Sequence, residues 1–346
     1  MSGIKMERVA WKNFKCYKDF QIDLAELNIL AGSNAAGKSS FIQAILLAFQ
    51  SWEEFDKNVV NTNCVYGVNL GLPINIISEN FEGKGITLEI VCGGCGNRVV
   101  LGMDEDGGND MHIRILNGEE IAVQRGERNN LKHMHLFFLN AERQGPRVVS
   151  PIREIQPNFV GYAGENTGYL ISEIDKRQKL QGIKLPDSLK ISPLDRFSAN
   201  CEAWLDMLIP NTELQCSVDM EKNLSTIKFK NSGEFYLPTA TGFGITYVLP
   251  IIVQALVAST LENSVLIVEN PEAHLHPLSQ SRLGKFLALV AWNGVQVLIE
   301  THSEHVIDGC RIQAAKEKMC GNVRILFFEK NQENSICKSI AVQENG

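Results

Sequence analysis

No part of the sequence is apolar for long enough to cross a bilayer; the longest mainly apolar run, 248–258, is about half of what a spanning helix needs. The opening MSGIKMERVAW lacks the apolar core of a secretory signal. Basic residues are also in deficit. With 33 Lys and Arg against 40 Asp and Glu, the net charge of −7 excludes a chain-wide electrostatic affinity for nucleic acid, so any DNA contact would be local or made through a complex. Eleven prolines and 28 glycines are too few for a disordered or collagen-like chain of 346 residues. No heptad repeat is sustained long enough for a coiled coil. The nine cysteines are odd in number and scattered, which suits reduced thiols better than a disulfide framework. Cys92 and Cys95 form one CxxC with no second pair to complete four ligands, and read as a Gly-rich hairpin. The expectation is a cytoplasmic globular protein without membrane attachment.

What is present is a 44% hydrophobic composition arranged in two textures. Residues 6–24 alternate as two strands, and the apolar run 27–31 ends on glycine. Phe41, Ile42, Ile45, Leu46 and Phe49 then recur at helical spacing. Short β-like pieces at 86–91, 98–101 and 112–115, broken by Gly and Asn turns, suggest an antiparallel meander. From 146 to 234 the texture changes to a Gly-rich loop, helices near 169–180 and 194–208, and two strands. Alternation of helix and strand resumes with helix 246–261, strand 264–269, helix 278–291, strand 295–300, helix 303–315 and two closing strands. The fold class expected is α/β: a P-loop NTPase with an N-terminal antiparallel β subdomain and an inserted, mainly helical arm. The head would comprise 1–145 and 235–346, and the arm 146–234.

Gly32, Ser33, Asn34, Ala35, Ala36, Gly37, Lys38 and Ser39 satisfy GxxxxGK[ST] in full, between a strand and a helix. Backbone N–H groups of such a loop close around a triphosphate, and the helix N-terminus adds its positive dipole end. Lys38 would neutralise the β and γ phosphates, and Ser39, followed by Ser40, would place a hydroxyl on Mg²⁺. A magnesium site also needs an acid at the end of a neighbouring strand, which Glu269 supplies after Ser264-Val-Leu-Ile-Val. Asn270 and Glu272 follow, and either could orient the attacking water, Glu272 being favoured. The imidazole of His302, at the end of the next strand, would sense the γ-phosphate.

These segments, with Trp11–Tyr17, Asn140-Ala-Glu-Arg-Gln-Gly-Pro-Arg147, Thr241-Gly-Phe-Gly-Ile-Thr246, IVENPEAHLHP and IETHSEHV, give the chain a resemblance to the ABC-type ATPase heads of the SMC, RecF and OLD-like group. In particular it resembles short AAA-type ATPases found beside nuclease genes in prokaryotic phage-defence loci. The resemblance implies a homodimer of heads clamping two ATP molecules, each phosphate loop facing the signature segment of the other copy. Here Gly242, Gly244 and Thr246 look like that segment, although they depart from LSGGQ. Gln144 looks like the Q-loop glutamine that joins the magnesium shell and follows the arm, with an ordinary polar turn as the alternative. Asn13 and Lys15 look like head residues near the nucleotide, with a solvated strand edge as the alternative. In such heads the base usually follows the magnesium-side acid directly, and this chain has Asn270 there.

Two functions of different class follow. One is an ATPase switch whose heads close on ATP and open on hydrolysis, driving a partner effector such as a nuclease. The other, prompted by Asn270, is a nucleotide-gated scaffold with little turnover. A small-molecule kinase is disfavoured by the signature and THS segments. The residues carry neither a TOPRIM continuation nor an HNH-like His cluster, so no nuclease domain is expected in these 346 residues.

Overall fold

A computed structural model of the chain describes residues 3–78, 85–102, 111–126, 131–153, 156–181, 183–230, 233–240, 242–331 and 335–344. The chain divides into two compact units, Met1–Met134 with Arg324–Ala341, and His135–Val323 with Val342–Gly346. Thr241, part of the signature-like segment, lies outside the described residues.

The first unit is built on an antiparallel sheet. Strands β1 (Met6–Phe14) and β2 (Tyr17–Asp23) form a hairpin, β3 (Leu27–Gly32) leads to helix α1 (Lys38–Glu53), and β4 (Val59–Asn61), β5 (Ile86–Cys92), β6 (Cys95–Gly102) and β7 (His112–Ile115) follow. The sheet order is β2-β1-β5-β6-β7-β4. Strand β5 shows why one face is core: Ile86, Leu88, Ile90 and Cys92 are buried in strict alternation. The CxxC is the expected hairpin. Cys92 and Cys95 are register partners across Gly93 and Gly94, whose φ values of 55° and 77° suit a two-residue turn that glycine enters without strain. Helix α1 packs its apolar stripe on the unit's aromatic core, where Phe41 meets Trp11 at 5.7 Å and Phe328 at 5.5 Å between ring centres. A short helix α2 (Gly118–Gln124), absent from the sequence reading, closes one end.

The second unit carries strands β8 (His135–Leu139), β12 (Ser264–Glu269) and β13 (Gln296–Glu300), parallel and in the order β13-β12-β8. Five of the six residues of β12, Ser264 to Val268, are buried, as expected for a parallel strand covered on both faces. Helices α3 (Thr167–Gln181), α4 (Phe197–Leu208), α5 (Phe243–Ala258), α6 (Pro277–Trp292) and α7 (Glu304–Lys316) belong to this unit, with a small sheet of β10 (Glu213–Asp219), β11 (Leu224–Lys230) and the two-residue β9 (Ser150–Pro151). Helix α4 starts three residues later than the expected 194, because Arg196 is extended and Leu194 is exposed. Its buried face, Phe197, Cys201, Trp204, Leu205 and Leu208, is the one the spacing indicates, and Trp204 meets Phe286 of α6 at 4.6 Å. Helix α5 starts three residues earlier than 246, with Gly242 at its N-cap. Strand β8 was not expected from sequence at all. Among the described residues, no helix is long and apolar enough to cross a membrane.

Candidate functional site

The phosphate loop runs from the last residue of β3 into the first turn of α1. Gly32 has φ 134°, and a Cβ there would lie 2.2 Å from the carbonyl oxygen of Phe328 in β14 (Val323–Lys330). Only glycine satisfies both demands. Gly37, φ 106°, is wedged against Tyr17, whose hydroxyl donates to its carbonyl at 2.8 Å, and against Ser335 of β15 (Ser335–Ala341). Ser33, Asn34 and Ala35 are exposed and Ala36 is buried, so the loop stands out between two fixed ends. Lys38 is buried, and its ammonium donates to the carbonyls of Gly32 at 3.0 Å and Ser33 at 2.9 Å. The cation is thereby folded over the loop's concavity. Among the described residues helix α1 has no side-chain N-cap and no acid in its first turn, so its positive dipole end is directed at the loop. Ser39 is exposed at that turn and Ser40 half-buried. A fixed cation, a glycine-bounded loop and a helix N-terminus fit a nucleotide phosphate.

Of the two flanking residues, Lys15 is brought to the loop's helix, donating to Gln43 of α1 at 2.6 Å, and burial lowers its pKa. Asn13 makes local bonds: its side-chain amide donates to the Gly85 carbonyl at 3.2 Å, and its backbone carbonyl accepts from the Ser78 N–H at 3.0 Å. Both residues have positive φ, 59° for Asn13 near the end of β1 and 48° for Lys15 in the turn after it.

In the second unit the acidic groups gather at the C-terminal ends of the parallel strands. Glu269 and Glu300 are register partners on β12 and β13, and their carboxyls hydrogen-bond to each other. Burial, first, and the neighbouring Glu300 carboxylate, second, push the Glu269 pKa up to about 7. Ala141 N–H donates to Glu269 Oε2 at 3.2 Å and opposes that rise. Two adjacent carboxyls, Glu300 buried and Glu269 half-buried, hold a proton or face a cation, and hard oxygen donors of this kind fit Mg²⁺. Glu272 is joined to the turn at Thr301 and His302: its carboxylate accepts from the Thr301 hydroxyl at 2.7 Å and from the backbone N–H of His302 at 2.8 Å. The imidazole of His302 is exposed. Asn270 has φ 43°, donates its N–H to the Glu300 carbonyl at 2.8 Å, and keeps a buried Oδ1 with no partner among the described residues. Asn140 Oδ1 is in the same condition at the end of β8.

Gln144 is half-buried, its N–H bonded to the Ala163 carbonyl at 2.8 Å, and it lines a cleft together with Thr246 of α5. Gly242 is exposed at the N-cap of α5, and Thr246 donates its hydroxyl to the Phe243 carbonyl at 2.9 Å. Gly244 sits where a Cβ would be 2.7 Å from the His274 carbonyl oxygen, so the first turn of α5 lies directly on the loop that follows β12.

The sequence reading missed Glu300 and Arg143. The signal for Glu300 was present, since VQVLIE closes an apolar strand with an acid just as SVLIVE does. Arg143 offered none, because its partners are main-chain carbonyls.

The sequence model described as "AAA domain, putative AbiEii toxin, Type IV TA system" matches residues 109–308, more than half of the chain. A second, "AAA ATPase domain", matches residues 5–86. Uncharacterized protein MJECL11 of Methanocaldococcus jannaschii is 36% identical over 83 residues, 24% of this chain and 71% of that protein. Among solved structures, an SMC head bound to the C-winged helix domain of ScpA superposes with a TM-score of 0.58 at 14% identity, covering 98% of each chain. The SMC head with a coiled coil and joint from Pyrococcus yayanosii gives 0.57 at 10% identity, again over 98% of each. The head with an extended coiled coil from Pyrococcus furiosus, bound to the C-terminal domain of ScpA, gives 0.55 at 14% identity, over 98% of this chain and 96% of that one. At such identities the likeness shows the fold, a P-loop NTPase head of SMC type.

Proposed function

The chain belongs to the AAA-domain family described as putative AbiEii toxin, Type IV TA system, and is a nucleotide-binding ATPase; from that premise we propose that it is a switch that pairs with a second copy around ATP and drives a partner effector. The observation that carries the reading is the phosphate loop, with Lys38 folded over it at the N-terminus of α1. Gly32 to Ser40 would hold the triphosphate, Lys38 would neutralise its β and γ groups, and Ser39, Glu269 and Gln144 would be the residues that hold magnesium. Magnesium held there would supply charge withdrawal from the phosphates. Glu272 takes the proton from water, each carboxylate oxygen keeping a lone pair beyond its bond to Thr301 or His302, and Asn270 Oδ1 is a second acceptor for that water. His302 reads the γ-phosphate, Lys15 and Asn13 flank the nucleotide, and Gly242, Gly244 and Thr246 face the nucleotide of the other copy. Residues 146–234 act as the arm that passes the change to the effector, a nuclease in a phage-defence setting, with DNA reached through that complex and the protein working in the cytoplasm.

Lys38→Ala should weaken ATP binding by at least about a hundredfold, measured by calorimetry, and Glu272→Gln should trap an ATP-dependent pair in light scattering. Unchanged binding in the first, or no pair in the second, ends the proposal. A second reading, a gated scaffold with minimal turnover, is favoured by one observation: both oxygens of Glu272 are already engaged, and Asn270 stands where a carboxylate is usual. Steady-state phosphate release separates the two, because turnover abolished by Glu272→Gln removes the scaffold.

A further inference from the structure

Arg143 is buried to 3% exposure, yet its fork reaches four main-chain carbonyls. Nε donates to Tyr247 O at 3.1 Å, Nη1 to Asn140 O at 3.0 Å and to Glu269 O at 2.7 Å, and Nη2 to Asn270 O at 2.6 Å. The acceptors belong to three separate elements: the end of β8, the first turns of α5 and the end of β12. The guanidinium also lies 5.6 Å from the centre of the Tyr247 ring. That ring meets His274 edge-on at 4.6 Å, and Phe243, exposed at the start of α5, lies 5.5 Å from the same imidazole. Together with the close approach of Gly244 to the His274 carbonyl, these contacts make the start of α5 and the loop 270–274 one packed body with Arg143 at its centre. Asn140 and Asn270, whose carbonyls Arg143 holds, both also keep a buried side-chain oxygen with no partner among the described residues.

We propose that Arg143 is a positioning residue that couples the first turn of α5 to the strand end bearing Glu269, Asn270 and Glu272, so that engagement of α5 by a second copy sets the water-orienting groups. The inference rests on the pairing ATPase read above. A rigid planar fork is required for this task, since it spans acceptors on three elements at once; an ammonium on a flexible stem reaches one or two from a point. Displacing the α5 turn moves the Tyr247 carbonyl against a guanidinium that is tied equally to β12.

The test uses full-length Arg143→Lys beside the wild type, in turnover assays over a range of protein concentrations and in hydrogen exchange with a non-hydrolysable ATP analogue and magnesium. Wild-type specific activity should rise with protein concentration as pairs form. In Arg143→Lys the KM for ATP should stay within about threefold, while kcat falls at least tenfold and the concentration dependence disappears. In the wild type, amides of 243–247 and 270–275 should gain protection together on adding the analogue. A kcat within twofold of wild type with its concentration dependence intact overturns the proposal, and so does an equal loss of ATP binding and turnover, the mark of a merely structural role. If the variant does not fold, wild-type exchange decides: protection confined to 243–247 overturns the coupling, and joint protection supports it. A wild type that neither pairs nor hydrolyses ATP overturns the underlying reading as well, whereas an unaffected variant beside a pairing wild type removes only the role of Arg143.

Discussion

The phosphate loop and the acidic strand end solve their problems at different ranges along the chain. The loop is a run of adjacent residues whose shape is set by two glycines and closed by Lys38, five and six residues from its acceptors. The strand end is assembled from residues more than a hundred positions apart, with Arg143 reaching Tyr247, Glu269 and Asn270 across separations of 104, 126 and 127. Local conformation fixes the first, and packing of distant elements fixes the second. A loop of that kind is rigid as soon as its flanking strand and helix form, whereas the strand end is only as rigid as the elements that meet there.

Three substitutions sharpen that contrast. The largest effect should come from Gly32→Ala, which places a Cβ 2.2 Å from the Phe328 carbonyl oxygen at a φ of 134°. A loss of about 3 kcal/mol or more in denaturant unfolding, together with loss of nucleotide binding, is expected. Stability within 0.5 kcal/mol of wild type would mean that the loop is not held by β14. Gly244→Ala should cost less, about 1–2 kcal/mol, because the gain in helix propensity partly offsets the contact of its Cβ with the His274 carbonyl at 2.7 Å. It should also slow turnover without a change in ATP affinity, and weaker ATP binding would count against the separation of the two regions.

The smallest effect is a pH dependence. The Glu269 carboxyl is raised from its ordinary 4.5 to about 7, so the folded chain retains a proton that the unfolded chain gives up. The associated stability is fully present below about pH 4.5 and is lost as pH rises through about 7. Nucleotide-free protein should therefore melt a few degrees lower at pH 8 than at pH 5. Glu300→Gln removes the neighbouring charge and should flatten that slope, with thermal scans at both pH values as the measurement. A slope unchanged in Glu300→Gln would leave burial alone as the cause.

Much of this was legible in the sequence, for identifiable reasons. Helix α1 was readable because Phe41, Ile42, Ile45, Leu46 and Phe49 repeat at the helical period, and β12 because an apolar run ends on an acid. Strand β8 was not, because His135-Leu-Phe-Phe-Leu139 lacks the alternation of a half-exposed strand and its length is shared by a buried helical turn. Cys92 and Cys95 read correctly as a hairpin because two adjacent glycines leave few other turns open. Glu272 and His302 were both singled out, but the backbone character of their contact follows from the turn after β13.

By itself the sequence determined the nucleotide-binding loop, since eight consecutive residues carry all the conformational demands of that loop within a few peptide bonds. It also determined the alternation of elements, because burial imposes a period on the residues that face the core. Only the tertiary structure decided that Glu300 would stand beside Glu269 and raise its pKa, that Glu272 would brace the Thr301–His302 turn, and that Arg143 would bind carbonyls from three elements. Carbonyls are common to every residue, so a contact made through them leaves no trace in residue type and appears only when the chain has folded.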